Sequence, residues 1–240
     1  MLSFLAGILL YQLMLIGIVS VFTFIFMEKN KDNYFRIGLF AIVFLVYFIM
    51  RILPGVIGFQ NFELPWESRF LTIISGVLLY FLFKKHFSDN NYLKIKQDKQ
   101  YLNLTILVSV AVIFGYLIIF YFRGFQQEPN IGYLIFVSII SVIEEELYFR
   151  LIILGLLMSC LNKKSLYGKY LAAILGGFIF GFWHGTFFNF DIANIITNCI
   201  YGYILCWITI KQKSILIPAI VHMITNVLGY IVTVYLITIK

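Results

Sequence analysis

Charge is scarce in this sequence. Only 12% of its 240 residues are Asp, Glu, Lys or Arg, 62% are hydrophobic, and the mean hydropathy is +0.95. A soluble domain is about one-quarter charged and about half apolar, so that class is excluded and an integral membrane protein is expected. Cysteine is scarce too. Cys160, Cys199 and Cys206 lie in apolar runs without metal-ligand spacing, which reads as small buried hydrophobes rather than disulfides or a redox site. The N-terminal run MLSFLAGILLYQLMLIGIVSVFTFIFM has no basic flank and no small-residue cleavage site. It is too long for a signal-peptide core and reads as a retained first span. No internal repeat and no low-complexity tract is present, so an inverted-repeat transporter is not suggested. The net charge of +7 is not gathered into a basic cluster interleaved with aromatics. No nucleic-acid partner follows from it; basic loops facing the cytoplasm do.

What is present is a series of apolar runs. The expected fold class is all-α, a polytopic membrane protein with about eight transmembrane helices near 2–27, 36–58, 66–83, 104–122, 131–161, 170–188, 192–210 and 215–238. Each is close to the ~20 residues that cross ~30 Å of hydrocarbon. Arg51, Pro54, Pro65 and Arg69 interrupt or flank the second and third. Most of the 18 Lys and Arg fall in loops after the odd-numbered helices, which places those loops in the cytoplasm and both termini outside. Arg51, Arg69, Arg123 and Lys240 fall on the opposite side in this scheme. An aromatic content of 19% fits lipid-facing helices, with Trp66, Trp183 and Tyr170 as interfacial anchors. Trp183 also adjoins His184, where it would line a pocket. The polar stretch 84–103, which contains a surface histidine, His86, separates an N-terminal part, 1–103, from a C-terminal part, 104–240.

Polar groups inside these runs need a reason, because an ionised side chain at mid-bilayer costs roughly 2.5–3.5 kcal/mol or more. The fifth run holds Glu144, Glu145, Glu146 and Arg150, the sixth His184, and the eighth His222 and Asn226. Glu146 and Arg150 are four apart and share a face, as do Phe180 and His184, and His222 and Asn226. Glu145 is turned about 100° from Glu146. A rise of ~1.5 Å per residue puts Glu145, His184, His222 and Asn226 near a common depth, biased toward the cytoplasm. Gly177 and Gly181 form a G-x-x-x-G that permits close helix approach, and the ring of Pro218 is expected to bend the last helix.

This set permits water activation by Glu145 as general base with His184 holding the water, and oxyanion support by His222 and Asn226. The same Glu/His/His set equally suits zinc with an open position. No Ser or Cys nucleophile sits in a recognisable motif.

Glu145-Glu146-x-x-x-Arg150, Phe180-x-x-x-His184 and His222-x-x-x-Asn226 resemble, in order and spacing, the three motifs of the CAAX-protease and bacteriocin-processing (CPBP, or Abi) intramembrane endopeptidases. The resemblance covers roughly 131–230. It implies an all-helical fold, hydrolysis of a peptide bond in a membrane-held peptide or protein, and catalytic residues Glu145, Glu146, Arg150, His184, His222 and Asn226. Within that set, Glu145 and His184 would activate water, His222 and Asn226 would support the oxyanion, and Glu146 and Arg150 would assist. Zinc or no metal at all both stay open, although the family is often called a metalloprotease group. Only Glu145-Glu146 keeps the arginine spacing, so Glu144 is the extra carboxylate. Membrane lipid is the other partner. A composition rich in Ile, Lys, Asn, Phe and Tyr points to a bacterial cell membrane, where peptide maturation or self-immunity would be the role. Prenyl-protein-like C-terminal processing is the other role the family offers. A non-catalytic scaffold or regulator of the same fold, and a proton-coupled transporter, are the alternatives.

Overall fold

The computed structural model describes residues 2–56, 66–87, 92–123, 131–161, 165–185 and 191–239. The expected helix ends at 58 and 188 lie outside them, as do Pro65, Lys163, Lys164 and Lys240 and the side chains of Pro54, Trp66 and Arg123.

All eight expected helices are present among the described residues, with no strand. They are α1 (Leu2–Phe26), α2 (Lys31–Val56), α3 (Trp66–Phe83), α4 (Leu102–Arg123), a rod made of α5 (Ile131–Glu145), a π-helical stretch (Glu146–Ile153) and α6 (Leu154–Cys160), then α7 (Leu166–Gly185), α8 (Ile192–Gln212) and α9 (Leu216–Ile239). Helices form because a chain in hydrocarbon must satisfy every backbone N–H and C=O within itself. Five of them, α1, α2, α4, α7 and α8, are long and apolar enough to cross a membrane. The chain is a multi-pass membrane protein.

The helices expose apolar side chains, and a charged cluster lies buried between them. Leu10, Phe22, Leu82, Leu107 and Phe122 are exposed, while Glu144, Glu145, Glu146, Arg69, Arg150 and His222 are buried. The rod from α5 to α6 runs through the centre, with α2 and α3 against one flank and α7, α8 and α9 around the rest. An aromatic layer of Phe44, Tyr47, Tyr148, Phe149, Phe180 and Trp183 fills the space between α2, the π stretch and α7. Trp183 is buried in that layer, its ring 4.5 Å from that of Tyr47. It is a core residue, not an interfacial anchor, because Phe44, Tyr47 and Phe48 of α2 cover it.

Two local expectations change. Pro218 is the third residue of α9. There its missing N–H would have had no intrahelical partner, so it opens the helix without breaking it. The adjoining turn is capped by Ser214, whose Oγ accepts from Leu216 N at 3.1 Å. His86 is half-buried, with its ring 4.5 Å from that of Phe35, rather than fully solvated.

The G-x-x-x-G packs as expected, α7 against α8. A Cβ on Gly177 would lie 2.5 Å from Tyr203 N, and one on Gly181 2.5 Å from Cys199 N. The obstructing atoms are backbone and cannot rotate away. Gly181→Ala is expected to cost about 1–3 kcal/mol through overpacking, read as a lowered unfolding midpoint of the purified protein. Ala at Gly38, which meets nothing within 4 Å, is the control.

Candidate active site

The rod's π stretch starts where the glutamates end. One π turn widens the helix from four to five residues per hydrogen bond, and such turns recur at functional sites. Glu144 and Glu145 therefore leave the last α turn, and Glu146 the first π turn, in three directions.

Glu145 points toward α7 and α9. Its Oε2 is 3.6 Å from His184 Nε2 and 3.6 Å from His222 Nε2. Its Oε1 accepts from Ser141 Oγ at 2.7 Å. Glu146 points to Arg150 and to the far side of the His222 ring. Its Oε1 is 3.3 Å from an Arg150 guanidinium nitrogen and 2.8 Å from His222 Nδ1. Glu144 faces away from both histidines, toward Arg51 of α2 at 3.1 Å and Arg69 of α3 at 2.8 Å.

The imidazole partners define proton positions. His184 Nδ1 lies 2.8 Å from the Phe180 carbonyl. A carbonyl only accepts, so Nδ1 carries the proton and Nε2 presents a lone pair. In neutral His222 the carboxylate of Glu146 does the same. Three acceptors, Glu145 Oε2 and the two Nε2 atoms, then face one another in a buried place, and Oε2 has no hydrogen-bond partner. At 3.6 Å they are too far apart to bond directly. They suit a small molecule that donates two hydrogens, which is what water does. His184 is the most open of the group, with 18% of its side chain exposed.

Arg150 is fully buried, and its guanidinium lies over the Phe180 ring at 4.2 Å. Phe180 thus serves twice: its carbonyl anchors His184 and its ring face receives Arg150. The charges balance, because Glu144, Glu145 and Glu146 are matched by Arg51, Arg69 and Arg150. That balance offsets the penalty of taking six ions out of water.

Of the residues singled out in sequence, Glu145, Glu146, Arg150, His184 and His222 come together. Asn226 lies one turn past His222, half-buried, and its side chain has no hydrogen-bond partner among the described residues. Arg51 and Arg69, expected to interrupt or flank the second and third helices on the non-cytoplasmic side, are drawn into the charged cluster. The available signal was an arginine inside YFIMRIL and another inside ESRFLTII, since a guanidinium in an apolar helix needs an acid within reach.

An all-helical membrane protein with a buried carboxylate–imidazole centre is the class that this fold and site define. A family model described as type II CAAX prenyl endopeptidase Rce1-like matches residues 126–228. Through that segment, which holds all three motifs, the chain is similar to the CAAX protease family, a family of intramembrane proteases. No curated protein and no solved structure matches it.

Proposed function

We propose that this protein hydrolyses a peptide bond in a membrane-held peptide or protein, with water activated by Glu145. The observation that carries the reading is the meeting of Glu145 Oε2 with two imidazole Nε2 atoms at equal distance. Water donates one hydrogen to Glu145 Oε2 and the other to His184 Nε2, which leaves its lone pair toward the substrate. Glu145 takes the proton as the oxygen attacks the carbonyl carbon. The oxyanion that forms is supported by the Asn226 amide, while Glu146 orients the His222 ring through Nδ1. Glu145 then passes the proton to the amide nitrogen, the C–N bond breaks, and a carboxylic acid, which keeps the second water proton, and an amine leave. Enclosure by the aromatic layer keeps bulk water out and strengthens each of these interactions.

Glutamate and imidazole are donors that suit zinc. Glu145, His184 and His222, with Oε2 3.6 Å from both Nε2 atoms, would be the ligands of a bound metal ion, which would polarise the water. No step of this mechanism runs through one.

The test compares membrane peptides and proteins from cells making wild type or His184→Ala at equal abundance. A fragment formed only with wild type is expected, and it names the substrate. The purified protein is expected to keep forming it after dialysis against a chelator; loss restored by zinc alone would replace this mechanism. Identical fragment profiles, with the cellular phenotype unchanged, would favour a non-catalytic scaffold.

A further inference from the structure

Glu144 is the carboxylate that the three-motif pattern does not require, yet it is completely buried. Both cations that reach it come from outside the matched segment. Arg51 Nε lies 3.1 Å from one of its oxygens, and an Arg69 terminal nitrogen 2.8 Å from the other. Arg51 also donates to Ser68 Oγ at 2.7 Å, which ties α2 to the residue preceding Arg69. The Arg69 nitrogen that binds Glu144 is 3.8 Å from Glu145 Oε1. That is the oxygen to which Ser141 donates. Glu145 is thus held by Oε1 on the α3 side, and Oε2 is the oxygen left facing the histidines.

We propose that Arg69 is a positioning residue of the proteolytic centre, with Glu144 as its anchor. Fixed on Glu144 beside Arg51, its guanidinium holds Glu145 Oε1 so that Oε2 faces His184 and His222. The inference rests on the function proposed above. Its physical basis is the neighbouring pair of carboxylates. In a low dielectric, Glu144 and Glu145 repel strongly unless a cation lies between them. Arg69 lies between them. Without it, Glu145 is pushed from Glu144 and its Oε2 leaves the imidazoles. The helices preceding the matched segment are then part of the catalytic unit.

The experiment uses the full-length purified protein and two probes, an internally quenched farnesylated CAAX peptide and the substrate found by fragment comparison. Arg69→Gln, Arg69→Lys, Glu144→Gln and the double variant Arg69→Gln/Glu144→Gln are assayed beside Glu145→Gln, with unfolding midpoints for all. Arg69→Gln is expected to lower kcat about 10²-fold, the cost of a displacement of about 1 Å. KM should stay within about twofold, because substrate contacts are untouched. Arg69→Lys, which keeps the charge, should recover much of kcat. The double variant removes one cation and one anion, so it should be more active and more stable than Arg69→Gln alone. Wild-type kcat in Arg69→Gln would overturn the proposal, as would a double variant no better than the single. If Glu145→Gln still cleaves, the proposed function falls instead. The midpoints then still report on the pair, and additive midpoints would remove the anchor as well.

Discussion

Glu145→Gln is expected to lower kcat by about 10²–10⁴-fold, the range that a general base contributes, while the protein keeps its fold. Glutamine has nearly the shape of glutamate. Its carbonyl oxygen can still accept from Ser141, which now bonds Glu145 Oε1 at 2.7 Å. Its amide would stand where Oε2 stands, 3.6 Å from both Nε2 atoms, and would donate to a lone pair there. What glutamine lacks is any capacity to take a proton from water. The substitution therefore removes the proposed chemistry and leaves the architecture, with Arg69 still paired to Glu144 at 2.8 Å. Single-turnover assays on the identified substrate, beside unfolding midpoints, measure the two effects separately. Cleavage at the wild-type rate with an unchanged midpoint would move the base to another residue. Glu144 is a poor candidate, since two guanidiniums hold it away from the histidines.

Arg150→Met is expected to have the largest effect on stability, about 3–5 kcal/mol, the cost of stranding one member of a buried ion pair. Methionine fills much of the volume, so the loss is electrostatic. Glu146 keeps only the His222 ring at 2.8 Å, and Phe180 loses the guanidinium lying 4.2 Å above its face. Arg150→Lys should recover little. An ammonium cannot stack on the Phe180 ring as a planar guanidinium does. Arg150→Met/Glu146→Gln should regain most of the stability, since no unpaired charge remains, though His222 then loses its anionic partner. Unfolding midpoints in one detergent at one protein concentration decide the point. If Arg150→Met alone unfolds like wild type, Arg150 has no structural role and belongs to the chemistry.

Much of this arrangement is readable along the chain. The helices announce themselves because hydrocarbon admits few other backbones and about 20 apolar residues are needed to cross it. The pairings Glu146–Arg150 and Phe180–His184 are local, four residues apart, so helical geometry alone brings them together. The meeting of Glu145 with His184, His222 and Asn226 was expected from depth along three helices, a cruder argument; the two imidazoles lie 3.6 Å from Glu145, and Asn226 stands a turn beyond His222. The burial of Trp183 was not readable in this way. An aromatic ring beside a polar residue looks the same whether lipid or a neighbouring helix covers it. Pro218 was misjudged because its effect depends on whether it falls in the first turn or the interior, and helix starts are set by capping groups such as Ser214.

By itself, the sequence determined that the chain lives in a membrane, that it is helical, and which polar residues share a helix face. Composition and a period of 3.6 residues settle those matters without reference to any other part of the chain. Only the tertiary structure decided which carboxylate each cation serves. Arg69 and Glu144 are 75 residues apart, and nothing in the spacing between two helices encodes how they rotate against each other. That rotation is set by packing, Gly76 of α3 against Leu147 and Tyr148 of the rod, Gly177 and Gly181 of α7 against the α8 backbone. It turns Glu144 to the arginines, Glu146 to Arg150, and leaves Glu145 Oε2 for the histidines.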